Sequence, residues 1–230
     1  MVLLDWADLP NELKNAHVKK YYDYLYKKKY SLIAKRVFDL LVAVIISIVF
    51  MPVIVAIGLI IRLDSKGPVL FRQERVTQYG RKFTIYKFRT MIVNANLVGT
   101  QVTVKDDKRI TKVGKILRKL RLDELPQLIN IIIGDMTFVG TRPEVDKYVA
   151  RYTDEMVSTL LMPAGITSEA SIKYKDEEYL LANETNADEV YLNKILPEKM
   201  KYNLESLKEF SFFGDIKTMI KTVYAVAKRG

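Results

Sequence analysis

The strongest pattern along the chain is a run of 22 residues without a charge, "LLVAVIISIVFMPVIVAIGLII", at positions 40–61. As one straight helix it would measure roughly 33 Å, enough to cross a hydrocarbon core ~30 Å thick. A soluble domain of this size has no need of a helix that is apolar on every face, so the run reads as membrane-embedded. Pro52 lies near its middle. Proline removes one backbone hydrogen bond and clashes with the preceding turn, so a bend is expected there. Two geometries fit: a kinked spanning helix, or a re-entrant hairpin whose arms of roughly 15–18 Å each reach half-way across. Lys27, Lys28, Lys29, Lys35 and Arg36 precede the run, and Arg62, Lys66, Arg72 and Arg75 follow it. Basic flanks favour the cytoplasmic side; a re-entrant dip satisfies both flanks, whereas a span violates one.

The patterning elsewhere is that of a folded domain. "HVKKYYDYLYKKKY" interleaves lysine with tyrosine, which predicts an interfacial helix meeting lipid headgroups; the plainer reading is a helix docked on the domain. "GPVLFRQERVTQYGRKFTIYKFRTM" alternates about Gly80 and predicts strand, turn, strand. Residues 111–122 have helical spacing, with Val113, Ile116, Leu117 and Leu120 on one stripe. Leu125 to Ile133 predicts a second, buried helix, with Asp123 as N-cap and Pro126 in its first turn. "GDMTFVGTRP" and "MPAGITSEASI" read as loops on either side of a helix from Glu144 to Leu161. Mixed helix interrupted at Pro197 is expected from Ala187 to Glu209, and an amphipathic last helix over 215–228. No internal repeat and no linker divides the chain.

Composition narrows the choice of partners. The 230 residues hold 37 lysines and arginines against 27 aspartates and glutamates, a net charge of +10. Such a balance favours anionic partners: nucleic acid, acidic lipid or phosphorylated small molecules. The chain has no cysteine, which excludes disulfides and thiolate metal sites, and its one histidine, His17, reads as a solvated surface residue. The opening "MVLLDWADLP" carries acids and no basic n-region, so it is not read as a secretory signal.

One feature stands against the charge. A basic run (Lys108, Arg109, Lys112, Lys115, Arg118, Lys119, Arg121) contains no acid, then ends in Asp123-Glu124. Read structurally, the pair is a helix cap and a first-turn acid, worth about 1 kcal/mol. Read chemically, a carboxylate can attack phosphorus and form an acyl-phosphate. A divalent cation and several arginines or lysines must then neutralise the repulsion between two anions. Arg118 lies just before the pair, and Lys87, Arg89 and Arg142 add further donors. Such a site beside a membrane suits a soluble phosphorylated donor meeting a lipid phosphate.

"KRVFDLL", "FRQERVTQYGRKFTIYKFRTM", "RLDELPQLINIIIGDMTFVGTRPE" and "PAGIT", taken together, resemble the bacterial sugar transferase family. More narrowly, they resemble the small monotopic phosphoglycosyl transferases that start bacterial surface-glycan assembly. The resemblance runs from about Ile33 to Ala227. It implies transfer of a sugar-1-phosphate from a UDP-sugar donor to a polyprenyl phosphate acceptor, releasing UMP, with Mg²⁺. It implies that Asp123 is the nucleophile of a covalent phosphosugar intermediate, and that Glu124 orients the site and holds the metal with Asp123. Arg118 and Lys87 would hold phosphates, and Arg142, with Pro143 beside it, would contact the donor. The membrane segment would be a re-entrant helix bent at Pro52. Three departures stand out: Met51-Pro52 where many relatives have Ser-Pro, "GTRP" for "GPRP", and "GITSEASIKYKDEE" where many continue "GxxQVxGR".

The expected fold is therefore α+β and mainly helical. An N-terminal interfacial helical extension occupies 1–34. A re-entrant membrane helix-break-helix follows at 35–62, then a cytoplasmic catalytic domain with a small β-hairpin at 63–230. The expected location is the bacterial inner (cytoplasmic) membrane, catalytic domain facing the cytoplasm, with inner membrane lipid as a partner. Association into a homo-oligomer is left open. A non-enzymatic basic scaffold on the inner leaflet would explain the charge and the apolar run but not the acid pair. A nucleic-acid binder would explain only the charge, and the apolar run argues against it.

Overall fold

The computed structural model describes residues 3–95, 107–181 and 186–228. Two short 3-10 turns, Trp6–Asp8 and Asn11–Leu13, lead into α1 (Ala16–Tyr26), whose first turn is capped by the Asn15 side chain accepting from the Val18 N–H at 2.9 Å. Val18, Tyr21, Tyr22 and Leu25 of α1 are buried in one cluster with Leu161, Leu204, Leu207 and Phe210. The Tyr21 hydroxyl donates to Glu155 at 2.5 Å and that of Tyr22 to the Leu4 carbonyl at 3.0 Å. This face of α1 belongs to the protein core, as the docked-helix reading expects, because Tyr21 and Tyr22 find both apolar packing and hydroxyl partners there. Tyr24, Tyr26 and Tyr30 remain exposed, as does His17.

Helices α2 (Lys29–Val49) and α3 (Met51–Asp64) meet at Phe50 with a bend of 62°. Neither alone is long and apolar enough to cross a membrane. Pro52 falls in the first turn of α3, where its missing N–H costs no intrahelical bond. Apolar side chains on both arms, among them Val37, Leu41, Ile45, Ile48, Val55, Leu59 and Leu63, face outward. The inner side of α2 holds charge. Lys35 and Asp39 are buried 3.4 Å apart, Lys35 also reaches Asp215 at 2.7 Å, and Thr137 donates to Asp39.

Strands β1 (Leu70–Val76) and β2 (Lys82–Phe88) pair antiparallel, with Gln73 opposite Ile85, through a turn in which Tyr79 and Gly80 both take positive φ. This is the hairpin that the alternation predicts. Helix α4 (Lys112–Lys119) starts at a Thr111 cap and packs so tightly on the end of β2 that a Cβ at Gly114 would lie 2.1 Å from the Thr90 carbonyl oxygen. Its expected stripe divides: Leu117 is buried, while Ile116 and Leu120 face outward.

A 3-10 turn, Leu122–Glu124, precedes α5 (Gln127–Ile133). Asp123 is therefore not the helix cap expected of it. A cap at 123 would accept from the N–H of residue 125 or 126. Leu125 already donates to the Leu122 carbonyl at 3.2 Å, and Pro126 has no N–H. Both stretches read as loops contain strands, since β3 (Met136–Val139) pairs parallel with β4 (Ala164–Thr167). The helix expected over 144–161 is broken as well. Only α6 (Asp146–Val149) and a 3-10 segment, Met156–Leu161, form, because Tyr148 and Leu161 are buried in two different clusters and one straight rod cannot serve both.

Short helices α7 (Glu169–Lys173), α8 (Glu177–Leu180) and α9 (Ala187–Val190) follow. A π-helical turn, Tyr191–Ile195, then leads into α10 (Leu196–Lys208), with Pro197 in its first turn. The last helix, α11 (Phe212–Ala227), begins at a Ser211 cap, slightly earlier than its amphipathic pattern predicts. The described chain is mainly helical, with two two-stranded sheets.

Candidate active site

The acid pair owes its place to the residue before it. Arg121 adopts the left-handed conformation (φ 57°), which ends α4 and turns the chain sharply. For a residue with a Cβ this costs on the order of 1 kcal/mol or more. The following helix is held from two sides. Asn130 of α5 is fully buried; its side chain accepts from the Tyr86 N–H at 3.1 Å and donates to the Thr84 carbonyl at 2.8 Å. Arg36 of α2 donates to the carbonyls of Ile131 and Ile132 at 2.6 and 3.0 Å, closing the C-terminal end of α5. The dyad turn is thereby fixed against β2, the strand that carries Lys87.

Three cations converge on Glu124. Its Oε1 accepts from Lys87 Nζ at 3.1 Å and from Arg142 Nη2 at 2.8 Å, with Arg121 Nη1 at 3.9 Å. Burial alone would raise the Glu124 carboxyl, but Arg142, Lys87 and Arg121 together hold it far below the usual carboxylate range. Arg142 is in turn held above its ordinary range by Glu124. Lys87 moves the other way. Burial outweighs the pull of Glu124 and brings its ammonium from 10.5 down to about 8.

Asp123 is treated differently. It is buried, and its Oδ1 has no hydrogen-bond partner. Burial first, and the Glu124 charge second, push its carboxyl up, while Lys87, Arg118 and Arg121 pull it back. One carboxylate is thus engaged by cations, and its neighbour is held beside them and left free. Both line a cleft of about 1460 Å³ together with Lys87, Arg118, Arg121 and Arg142.

Of the residues singled out in the sequence, Asp123, Glu124, Arg118, Lys87, Arg142 and Pro143 all border this cleft. Arg89 also borders it, but its guanidinium points elsewhere. It donates to the carbonyls of Ser65 and Lys66 at 2.7 Å each and to Ser65 Oγ at 3.0 Å, closing the end of α3. Arg89, expected to bind substrate, thus also ties β2 to the end of α3. Sequence reasoning missed Arg75, which donates to the Pro143 carbonyl at 3.1 Å and steadies the Arg142 loop. It also missed the roles of Arg121 and Asn130. The only available signal for Arg75 was its place on the predicted hairpin, opposite Phe83.

Among the described residues, no group of three or more histidines, cysteines, aspartates or glutamates converges as a metal site. A cation here would have two adjacent carboxylates from the protein and would take its other ligands from phosphate and water. That donor set suits Mg²⁺, which keeps several waters and binds through one or two carboxylates plus substrate phosphates. The unpartnered Oδ1 of Asp123 fits such a use.

Comparison with known proteins identifies a family. The model of the family described as bacterial sugar transferase matches residues 30–229. The chain is 36% identical over 196 residues to the UDP-N-acetylgalactosamine-undecaprenyl-phosphate N-acetylgalactosaminephosphotransferase of Aeromonas hydrophila, covering 84% of this chain and 43% of that one. It is 36% identical over 194 residues to the UDP-glucose:undecaprenyl-phosphate glucose-1-phosphate transferase of Escherichia coli (strain K12), covering 83% and 39%. It is 34% identical over 197 residues to the uncharacterized sugar transferase EpsL of Bacillus subtilis (strain 168), covering 85% and 88%. The chain thus spans about two-fifths of the length of the first two relatives and most of the third. A family model that matches nearly the whole chain, and relatives above 30% identity across more than four-fifths of it, place this protein in the bacterial sugar transferase family.

Proposed function

We propose that this protein is a phosphoglycosyl transferase that moves a sugar-1-phosphate from a UDP-sugar to polyprenyl phosphate and releases UMP. An oxygen of the Asp123 carboxylate attacks the phosphorus that bears the sugar. A bond from Asp123 to phosphorus forms, the bond from that phosphorus to the UMP oxygen breaks, and the electron pair leaves with UMP. A phosphate oxygen of the polyprenyl acceptor then attacks the same phosphorus and displaces Asp123. Lys87, Arg118 and Arg142 hold the anionic groups of donor and acceptor, and Glu124 keeps Lys87 and Arg142 in place between substrates. Asp123 and Glu124 would hold Mg²⁺, which when bound reduces the repulsion between the diphosphate and the two carboxylates. The bent pair α2–α3 enters the inner leaflet from the cytoplasmic face and returns to it, so the cleft meets the lipid phosphate at the membrane surface.

The observation that carries this reading is the division of labour in the dyad. Glu124 takes the cations, and the buried Oδ1 of Asp123 beside it has no partner. Asp123→Asn tests it. The substitution keeps size and removes a buried charge that accepts no hydrogen bond at Oδ1, so expression and melting should hold. Turnover should fall by orders of magnitude, because an amide is a poor nucleophile toward phosphorus. Wild-type protein given donor without acceptor should release up to one equivalent of UMP and retain a hydroxylamine-labile phosphosugar, whereas the variant should do neither. Near wild-type turnover by Asp123→Asn would end the covalent mechanism.

A further inference from the structure

The cleft continues past the dyad to a second polar group that the transfer chemistry does not use. Tyr191 donates its hydroxyl to Glu144, which follows Arg142 and Pro143 on the same loop. Lys199 Nζ lies 3.2 Å from the Tyr191 hydroxyl and donates to Glu177 Oε2 at 2.8 Å. Glu144, Tyr191 and Lys199 are buried, while the Glu177 side chain is 25% exposed; all four line the same cleft as the dyad. Glu144 and Glu177 both act on the Arg142 charge, so this group lies within electrostatic reach of the phosphate-binding residues.

The backbone is shaped to bring these side chains together. Tyr191 and Lys199 are eight residues apart, which on a regular helix would separate them by roughly 80°. The π-helical turn Tyr191–Ile195 contains one extra residue. In helical register the two are then about seven apart and within ~20° of one face. The ammonium consequently sits 5.0 Å from the Tyr191 ring centroid as well as beside its hydroxyl. Pro197 favours this local π geometry, because it cannot supply the α-helical N–H to the Asn193 carbonyl. Burying Lys199 and Glu144, with Glu177 half-buried beside them, is poor value for stability alone, since apolar residues of similar volume serve as well or better. A π turn in a cavity wall is also a frequent mark of a functional site.

We infer that Glu177 accepts hydroxyl groups of the donor's sugar ring, and that Lys199, Tyr191 and Glu144 brace it to the loop carrying Arg142. Two carboxylates beside a phosphate site repel phosphate, so the part of the donor that lies here is neutral. Hydroxyls, which donate to carboxylates, are densest on the sugar. Glu177 touches the ligand, and Lys199 is a positioning residue. The inference rests on the phosphoglycosyl transfer proposed above.

The test compares wild type with Glu177→Gln, Lys199→Met and Tyr191→Phe on a panel of UDP-sugars that differ at single ring hydroxyls. It measures UMP release, donor binding by calorimetry and inhibition by UMP. The preferred donor should lose roughly tenfold in kcat/KM with Glu177→Gln, mostly through KM, and its advantage over the epimers should shrink by a similar factor. Inhibition by UMP should not change. Tyr191→Phe, which loses only a hydroxyl, should shift the preference in the same direction, so misfolding of the lysine variant would not decide the matter. An unchanged donor ranking in folded variants overturns this inference and leaves the transfer reaction standing. Weaker UMP inhibition with a proportional loss on every donor would place the nucleoside here instead and also overturn it. A wild type that neither binds nor turns over any UDP-sugar would bring down the proposed function, and this inference with it.

Discussion

Lys87 is an ammonium held where burial works against its charge, with a carboxylate 3.1 Å away working for it. Burial prevails, and the group titrates at about 8 instead of 10.5. The sign is opposite for activity and for stability. Phosphate binding needs the charged form, so kcat/KM for the donor should fall as pH rises through about 8. Between about 8 and 10.5 the unfolded chain binds the proton more readily than the folded one, so this residue's contribution to stability improves across the same interval. Lys87→Arg, which keeps its charge throughout, should remove the alkaline limb; a limb that persists in that variant would assign it to another group. The sequence alone showed Lys87 as one residue of an alternating strand and one of several cations that could serve the acid pair, and its specific assignment to phosphates came through resemblance. Arg121 and Asn130 could not be found in this way. Their roles arise from a left-handed turn and from a helix-to-strand contact 44 residues apart, neither of which leaves a periodic trace.

At the scale of elements, the approach of α4 to the end of β2 is the tightest constraint near the dyad. Gly114→Ala would set a methyl group against the Thr90 backbone, which cannot move aside as a flexible side chain would. Overpacking of this kind costs about 1–3 kcal/mol. Melting should drop by several degrees and kcat/KM should fall with it, because the same helix carries Arg118. Lys112→Ala on its exposed side should change neither; equal behaviour of the two variants in a melting series would refute this account. The hairpin was legible because strict alternation and a glycine turn lie within one short window. The β3–β4 pair was not. Each strand has four residues in a glycine-rich stretch, and the partners are joined across a long connection. A Cβ at Gly165 would come within 2.2 Å of the Gly140 backbone, so these glycines serve close strand packing, although glycine in sequence signals a turn. The helix expected over 144–161 failed for a related reason. The stretch has no glycine or proline to announce a break, and the demand of two separate clusters overrides its local preference.

For the molecule as a whole, the proposed re-entrant placement of α2 and α3 has a topological consequence. A re-entrant pair leaves both its ends in the cytoplasm. The chain has no native cysteine, so single cysteines at exposed Tyr30 and Lys66 report cleanly. Both should resist an impermeant thiol reagent added to intact cells and react once the membrane is opened. Labelling of only one in intact cells would establish a span. The run of apolar residues and its proline made the bend legible in advance. The charged inner face of α2 was not legible, because Lys35 and Asp39 look like a solvated pair until α11 is packed over them.

That buried group has a consequence for how the protein is made. Lys35 leaves the ribosome well before its closer carboxylate, Asp215 at 2.7 Å, has been translated. Thr137, which donates to Asp39, arrives midway. Until residue 215 emerges, an ammonium on α2 has only its weaker contact, Asp39 at 3.4 Å. The seating of α2 can therefore be completed only once residue 215 has emerged, so nascent chains stalled before residue 215 should remain accessible to protease at α2 while chains extended well past it are protected.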